Sequence, residues 1–438
     1  MAFEIFDREF EQQKILKNFG KGLFGYMVGR RRVGKSTLLQ HLCYKHKGFY
    51  HQAIEGGILQ QLDHLVSEIK EHIPLFNQVT PKTWSEFFTL LSKEKLPRLI
   101  VFDEFPYWVN ADPTLPSVLQ KWIDHELKAH KTLIMVSGSS QSMLYAQFLN
   151  GSAPLYGRSQ FFIRLEPMTY HWFCKAQNLD VGDPESFEKF AIVGGVPHYW
   201  KLLEKKVSLL KQLDVLFFEP SAILAEEPRL ILHDEGIVGN ISKAILDLIG
   251  RGVNKPSEIA ARMGVPQNHL SRPLAQLIEL GLIHRDLPFG ESLKTSKKVL
   301  YSLQDPVLSF YYGTCVPHRA HWRLLSEKEK KHLINLHVSH HFKIYCRKVH
   351  TAAQRYWEPG VEVDLIAPQK NKSYFAGEVK WMSLNASQEA ALSQQLKVKI
   401  EQSHFKIKDK ISSYRIFSKK DLPLLSKLED QIDESSGF

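Results

Sequence analysis

The sequence has few cysteines and no long apolar stretch. Its four cysteines are scattered over 438 residues without a CxxC pair, which argues against a disulfide framework or a zinc site and fits a reducing cytoplasm. No apolar run reaches the roughly 18 residues that a membrane helix needs. The first residues are acidic and lack the basic and apolar regions of a signal peptide, so we expect a cytoplasmic protein without a membrane partner.

Repeats of roughly 20 to 50 residues and low-complexity tracts are also missing. Hydrophobic residues make up 43% of the chain and charged residues 24%, and this ordinary globular balance excludes wholesale disorder. At roughly 150 residues per domain, the length indicates about three domains.

The excess of basic side chains lies entirely in the second part of the chain. Lysine and arginine exceed aspartate and glutamate by 57 − 47 = 10. Residues 1–240 hold 27 side chains of each sign, whereas residues 241–438 hold 30 basic and 20 acidic ones. This asymmetry fits a polyanion partner such as DNA, and it fits a solvated basic surface equally well.

Short apolar runs alternate with helical stretches in the first part of the chain. Phe24–Val28, Leu99–Phe102 and Leu133–Val136 have the pattern of buried strands, and Lys35–Lys45 and Pro116–His130 that of helices. Continuous apolar strands with helical crossovers predict a parallel sheet covered on both faces, and hence an α/β fold.

One segment matches GxxxxGK[ST] between a predicted strand and a predicted helix. In this P-loop motif, backbone N–H groups and the start of the helix surround the β-phosphate of a nucleotide. Lys35 is expected to reach the β- and γ-phosphates, and Ser36 to bind Mg²⁺ through its hydroxyl oxygen. The expected nucleotide-binding residues are Gly29, Arg30, Arg31, Arg32, Val33, Gly34, Lys35, Ser36 and Thr37.

A second motif, Leu99–Glu104, places two carboxylates after four apolar residues, as in a buried strand that emerges at the carboxyl edge of a sheet. In a chain with a P-loop, Asp103 is predicted to hold Mg²⁺ through water, and Glu104 to orient and deprotonate the attacking water. Positioning and charge neutralisation carry most of the catalysis of phosphoryl transfer. The two motifs together predict ATP hydrolysis with Mg²⁺ as cofactor.

Two further residues are catalytic candidates, each with an ordinary alternative. Ser139 follows the third strand and either senses the γ-phosphate or belongs to a simple Gly/Ser turn. Arg158 follows a turn, and it either stabilises the transition state, in cis or across the interface of a homo-oligomer, or is a surface arginine.

Three helical stretches and a basic β-hairpin between Gly239 and Leu303 predict a winged helix. The third helix begins with polar residues, where a recognition helix meets bases and phosphates. DNA contact and protein binding both fit such a module. The candidate DNA contacts are Gln267, Asn268, His269, Ser271 and Arg272 on the helix and Lys294, Lys297 and Lys298 on the wing.

A predicted hairpin near the C-terminus, Val361–Ile366 and Phe375–Lys380, alternates apolar and polar side chains. This alternation places Glu362 and Asp364 on one face of the first strand, and Glu378 and Lys380 on one face of the second. Two facing carboxylates with a lysine beside them can bind Mg²⁺ and activate water for phosphodiester cleavage. A solvated hairpin with cross-strand ion pairs explains the same pattern.

The order of these motifs resembles the bacterial and archaeal AAA-superfamily ATPases of the STAND/MNS-like group, whose chains end in a domain of unknown function. The resemblance extends over nearly the whole chain. It includes Phe6–Glu11, similar to the family's N-terminal box near the adenine, which makes Arg8 a candidate nucleotide contact. It also includes Gly194–Pro197, similar to a GGxP motif in a helical lid, and Glu226–Pro228, similar to an acidic segment before the winged helix.

The resemblance implies a P-loop AAA-type ATPase core over residues 1–170, a helical lid over 171–235, a winged helix over 236–312 and a PD-(D/E)XK nuclease-like domain over 313–438. Asp364, Glu378 and Lys380 match the family's nuclease positions. Such domains usually place a glutamate after a phenylalanine on the preceding helix. This chain has Phe342-Lys343 instead, which removes a candidate metal ligand.

We therefore expect an ATP-hydrolysing, nucleotide-dependent switch coupled to DNA through its basic half. Two alternatives remain. The first is an ATP-regulated protein-interaction scaffold with a degenerate nuclease-like domain, and the second is a Mg²⁺-dependent DNA nuclease gated by ATP.

Overall fold

The structure, a computed structural model, describes residues 5, 7–237, 239–292, 296, 298–369, 372–406 and 408–435. The chain forms two compact units. The first consists of residues 1–167 with the short segments 196–198 and 231–236, and the second of residues 168–195, 199–230 and 237–438. The four predicted domains are not separated in this division, and their boundaries stay predictions.

A parallel five-stranded sheet forms the centre of the first unit. The sheet has the spatial order β2-β3-β4-β1-β5. Its strands are β1 (Leu23–Gly29), β2 (Phe49–Gln52), β3 (Leu99–Asp103), β4 (Leu133–Ser137) and β5 (Phe161–Leu165). The predicted α/β fold with a parallel sheet is confirmed.

Successive residues of the central strands enter two separate apolar clusters, one on each face of the sheet. On β3, Ile100 and Phe102 belong to one cluster, and Leu99 and Val101 to the other. Burial on both faces explains why these strands are continuously apolar. The helices of this part are α1 (Glu9–Leu16), α2 (Lys35–His46), α3 (Ile58–Ile69), α4 (Trp84–Leu91), α5 (Phe105–Ala111), α6 (Leu115–Trp122), α7 (Lys128–His130) and α8 (Gln141–Phe148).

The sequence pattern misses the two edge strands, β2 and β5. An edge strand has exposed positions that interrupt its apolar run, as Gln52 does in β2 and Arg164 in β5. These strands therefore lack the continuous apolar sequence that identifies β1, β3 and β4.

The remaining helices follow in chain order: α9 (Tyr170–Gln177), α10 (Pro184–Val193), α11 (Pro197–Trp200), α12 (Leu209–Leu213), α13 (Ile223–Asp234), α14 (Asn240–Gly250), α15 (Pro256–Met263), α16 (Ser271–Glu279), α17 (Pro306–Phe310), α18 (Val316–His318), α19 (Glu327–Lys348), α20 (Ala386–Glu401) and α21 (Leu422–Ser435). Among the described residues, none of the helices combines the length and apolarity needed to cross a bilayer.

Two small sheets belong to the second unit. Strands β6 (Ile283–Asp286) and β7 (Leu300–Leu303) form an antiparallel pair. Four strands form the other sheet, in the order β11-β10-β9-β8: β8 (Gln354–Glu358), β9 (Val361–Pro368), β10 (Tyr374–Val379) and β11 (Ile411–Phe417). Strands β9 and β10 pair antiparallel, so the predicted C-terminal hairpin is confirmed.

Candidate nucleotide-binding site

Two glycines shape the loop between β1 and α2. Gly34, the N-cap of α2, has a φ of 105°, a conformation that side chains rarely adopt. A Cβ atom at Gly29 would lie 2.6 Å from the carbonyl oxygen of Leu165 on β5. The loop leads directly into α2. The first N–H groups of a helix have no partner within it, so this end of α2 attracts an anion.

Lys35 is the buried cation of this loop. Lys35 is 5% exposed, and its Nζ donates hydrogen bonds to the carbonyl oxygens of Gly29 at 2.7 Å and Arg30 at 3.0 Å. Burial lowers the pKa of Lys35, while the nearby carboxylates of Glu104 and Asp103 work to raise it. The ammonium group is therefore bound to P-loop carbonyls and lies within electrostatic reach of the acidic end of β3.

Asp103 ends β3 with a carboxylate that is almost fully buried, at 1% exposure. Its Oδ2 accepts a hydrogen bond from the Tyr50 hydroxyl at 2.7 Å. Its Oδ1 accepts from the backbone N–H of Glu104 at 3.0 Å and from the Ser137 hydroxyl. Three donors thus fix the orientation of the carboxylate.

Tyr50 is a site residue that the sequence patterns did not indicate, and Ser137 lies in the polar segment after the third predicted strand, where the sequence favours Ser139 instead. Burial and the adjacent Asp103 carboxylate raise the pKa of Tyr50, so the phenol stays a hydrogen-bond donor. Ser137 is the last residue of β4, directly beside β3. Only the order of the strands reveals either contact.

Glu104 has a left-handed backbone conformation, with a φ of 53°. Its Oε2 accepts hydrogen bonds from both the backbone N–H and the hydroxyl of Ser139, each at 3.1 Å. Burial raises the pKa of Glu104, and the hydrogen bonds from Ser139 act in the opposite direction. The structure thus brings Ser139 to the proposed base, whereas its place in the sequence indicates a γ-phosphate contact or a simple turn.

The arginines of the P-loop region are held by neighbours within the first unit. Arg31 forms an ion pair with Asp234, in the short segment 231–236. Arg8 is 5% exposed and donates to the carbonyl oxygen of Glu166 at 2.8 Å and to the Glu11 carboxylate at 3.2 Å. The guanidinium group of Arg8 also donates a hydrogen bond to the carbonyl oxygen of Val33 at 3.4 Å, which connects Arg8 to the P-loop.

The other P-loop candidates lie along the same loop and the start of α2. Val33 is buried, Ser36 is partly buried and Thr37 is exposed. Arg30 and Arg32 are partly buried, and Arg32 has a positive φ of 64°.

Arg158 lies apart from this hydrogen-bonded set. Its guanidinium donates to the Asp124 carboxylate at 3.3 and 3.4 Å and to the carbonyl oxygen of Tyr156 at 3.1 Å. None of its hydrogen bonds within the described part of the chain involves Lys35 or Glu104. These contacts match the surface alternative, and a role across an interface stays a prediction.

The donor set fits a nucleotide with Mg²⁺. Mg²⁺ prefers oxygen ligands and usually keeps several waters, binding through one or two protein groups together with phosphates. Ser36 offers a hydroxyl at the start of α2, and Asp103 offers a carboxylate that neighbouring donors hold in place. Groups that orient a metal ligand in this way are typical of metal sites.

Residues 5–203 match a family described as an ATPase domain predominantly from Archaea. The chain contains a P-loop ATPase domain. Residues 327–392, in the second unit, match a family of archaeal and bacterial proteins of unknown function.

Two proteins are similar to this chain over most of its length. An uncharacterized protein of Methanocaldococcus jannaschii is 28% identical over 402 residues, covering 86% of this chain and 88% of that protein. The structure of a Walker-type ATPase of Pyrococcus abyssi is similar with a TM-score of 0.54 and 20% identity, covering 70% of this chain and 96% of that one. At this identity the similarity concerns the fold, and it agrees with the P-loop architecture of the ATPase.

The candidate DNA contacts on the helix lie together on the surface of the second unit. They occupy a 3₁₀ turn, Gln267–Leu270, and the first residues of α16. The exposed residues are Gln267, Asn268, His269, Ser271, Arg272 and, on the loop before β7, Lys298. Lys294, Lys297 and Phe6 lie outside the described residues.

Phe289, on the described first part of the loop between β6 and β7, packs onto the C-terminal sheet. The ring of Phe289 contacts Tyr374 and Phe405 at centroid distances of 5.2 and 5.8 Å. Its backbone N–H donates to the carbonyl oxygen of Arg355 at 2.8 Å. This part of the predicted wing is therefore anchored to the protein.

The C-terminal carboxylates both bind lysine side chains. Asp364, which is 3% exposed, accepts from Lys343 Nζ at 2.6 Å and from the backbone N–H of Val379 at 2.9 Å. Glu378 accepts from Lys380 Nζ at 2.8 Å and Lys399 Nζ at 3.2 Å. Burial works to raise the pKa of Glu378, but the two lysines lower it overall.

We expect Tyr50→Phe to lower the maximal rate of ATP hydrolysis about tenfold and to raise the Mg²⁺ concentration needed for half-maximal rate. The variant keeps the ring but removes the hydrogen bond that orients Asp103. Steady-state ATPase assays over a Mg²⁺ series measure both effects. Tyr44→Phe, at a site on α2 with 78% exposure, is the matched control, and equal rates for all three proteins would contradict the role of Tyr50.

Proposed function

We propose that this protein binds ATP with Mg²⁺, hydrolyses it and acts as a nucleotide-dependent switch. The observation that carries the proposal is the buried, hydrogen-bonded set at the P-loop. In this set, the backbone N–H of Glu104 donates to the Asp103 carboxylate, and the backbone N–H of Ser139 donates to the Glu104 carboxylate. Lys35 lies within electrostatic reach of both carboxylates.

Each residue of this set has a defined task in phosphoryl transfer. Lys35 exchanges its carbonyl partners for phosphate oxygens and neutralises their charge. Bound Mg²⁺, held by Ser36 and Asp103, would add charge neutralisation at the β- and γ-phosphates. Glu104 accepts a proton from the attacking water while the water oxygen bonds to the γ-phosphorus and ADP leaves.

The environment of Glu104 suits a general base. A base works best when its pKa approaches the pH at which the enzyme operates, and burial moves the pKa of Glu104 in that direction. Ser139 holds one carboxylate oxygen, Oε2, with two hydrogen bonds. No hydrogen bond within the described part of the chain occupies Oε1, which can accept a bond from a water molecule.

The switch is proposed to act through the segment 231–236. Arg31 of the P-loop pairs with Asp234 in this segment, and the chain enters the last segment of the second unit at residue 237. A nucleotide phosphate competes with the Asp234 carboxylate for Arg31. Nucleotide binding would thereby change a contact next to the chain connection between the units.

We further propose that the basic part of the chain binds DNA through a winged helix. Helices α14, α15 and α16 with the β6–β7 pair have the element order of that module, and a polar, exposed patch lies at the start of α16. Phe289, before the basic part of the predicted wing, is held against Tyr374, and we favour the helix start as the contact. A protein partner for the same surface is the alternative.

For the C-terminal domain we propose binding rather than cleavage. Both carboxylates that would hold a catalytic metal carry lysine ammonium groups within 3.2 Å. A divalent cation would have to displace these charges before it could bind, and the ammonium groups repel it.

We expect Lys35→Ala to abolish nucleotide binding, because it removes the cation that meets the phosphates. Glu104→Gln should keep binding and lower turnover by about 10² to 10⁴, since an amide cannot accept the proton. Fluorescent-nucleotide titration and phosphate release separate the two effects. Lys95→Ala and Glu126→Gln, at exposed sites, are the controls. If both site variants hydrolysed ATP at the parent rate, the assignment would be wrong.

We expect DNA affinity to fall steeply with salt concentration, because phosphate contacts release counterions. Combining Arg272→Ala with Lys298→Ala should weaken binding and reduce the salt slope by about 1 for each lost contact. Fluorescence anisotropy at several salt concentrations measures this, with the exposed Arg323→Ala as the matched control. Parallel ATPase assays with and without DNA report coupling. Failure to bind at low salt, or binding that ignores salt, would favour the protein-interaction alternative.

We expect no nicking of supercoiled plasmid by the parent protein with Mg²⁺ or Mn²⁺, because lysines satisfy the carboxylates. Gel electrophoresis with and without ATP tests this, with a metal-dependent endonuclease as the positive control. Metal-dependent nicking that disappears in Asp364→Ala would instead establish the gated nuclease.

A further inference from the structure

A second polar cluster in the ATPase domain takes no part in the nucleotide chemistry. Strand β2 sends alternate side chains to opposite faces of the sheet. Tyr50 reaches Asp103, whereas His51 meets Glu68 of α3. His64 lies one helical turn before Glu68, on the same face of α3. The cluster thus consists of His51, His64 and Glu68.

The cluster brings two imidazoles to one carboxylate. His51 Nδ1 lies 2.6 Å from Glu68 Oε2, and His64 Nε2 lies 3.5 Å from Glu68 Oε1. One potential ligand atom from each of the three residues lies within 4.8 Å of the other two. In a tetrahedral site with metal–ligand bonds of about 2.0–2.1 Å, ligand atoms are roughly 3.3 Å apart. Small side-chain shifts would give this arrangement.

The ring nitrogens of the cluster that do not contact Glu68 are buried. His51 is fully buried, and its Nε2 has no hydrogen-bond partner among the described residues. The Nδ1 atom of His64 is likewise buried and lacks a partner in that part of the chain. These two nitrogens would carry the ring protons, while His51 Nδ1 and His64 Nε2, the atoms near Glu68, would bind the metal. Burial lowers the pKa of His51 and keeps its imidazole neutral, which is the protonation state that binds metals.

An opening beside the cluster leaves room for a further ligand. His64 and Glu68 line a cavity of about 540 Å³, together with Ser67, Glu71 and His72. Water from this cavity can complete a coordination shell. The scarcity of cysteine pairs in the sequence excludes only zinc sites made of thiolates, whereas two histidines and a glutamate also form a common zinc ligand set.

We propose that His51, His64 and Glu68 bind one divalent transition-metal ion of the Zn²⁺ class. Two nitrogen ligands and one carboxylate favour this class over Mg²⁺, which prefers oxygen ligands alone. The bound ion would connect the edge strand β2 to α3. His51 also packs on Trp108 of α5, at a ring distance of 5.6 Å, so the ion would stiffen the region next to Glu104.

Titration of the untagged, metal-free full chain with Zn²⁺, without nucleotide, tests the proposal. We expect one high-affinity equivalent per chain by calorimetry. Titration with Co²⁺ should give the visible absorption of a four-coordinate site. The absence of a polyhistidine tag matters because such a tag binds the same metals.

His64→Ala and Glu68→Gln should each weaken Zn²⁺ binding at least tenfold and remove the Co²⁺ absorption. Their side chains are 36% and 42% exposed, so neither substitution opens a cavity in the core. The exposed His125→Ala is the matched control, and circular dichroism checks folding. Absence of stoichiometric binding by the parent, or equal binding by both folded variants, would overturn the proposal, and neither result depends on ATP hydrolysis.

Discussion

The buried carboxylate of Asp103 is the constraint on which the nucleotide site depends. A carboxylate removed from water costs several kcal/mol unless donors surround it. Here the donors come from both neighbouring strands and from the next residue's backbone: Tyr50 on β2, Ser137 on β4 and the N–H of Glu104. The strand order β2-β3-β4 is therefore part of the chemistry, because exchanging either neighbour would remove one of the three donors to this buried charge.

Glu104 and Ser139 lie at the same edge of the sheet as Asp103. After Asp103 the backbone turns through a left-handed residue, Glu104, so that its side chain meets Ser139 at the end of β4 rather than continuing along the strand. Such strained positions persist where surrounding contacts fix them, and they occur often at active sites. Because β2 is pleated, its adjacent residues Tyr50 and His51 point to opposite faces of the sheet. Tyr50 binds Asp103, and His51 binds Glu68.

Short sequence patterns predict the elements whose conformation depends on nearby residues, namely the P-loop and the central strands. The P-loop needs glycine at Gly34 for its backbone conformation, and the central strands are apolar because both faces are buried. The partners of Asp103 depend on which strands become neighbours, a property of the tertiary fold that leaves no motif at Tyr50. Edge strands are missed for a related reason, because their exposed positions break the apolar pattern.

The C-terminal sheet shows how one residue changes what a carboxylate pair can do. With a glutamate at position 343, Asp364 would lose the ammonium group of Lys343 and meet a carboxylate in its place, an arrangement that favours a divalent cation. With Lys343, the buried Asp364 obtains its counter-charge from within the chain, and Lys380 with Lys399 does the same for Glu378. A covalently attached ammonium group pays no entropy of association from solution, so it competes effectively with a free ion. Both carboxylates therefore have a counter-charge within the chain, and this is the physical basis for proposing a domain that binds rather than one that cleaves.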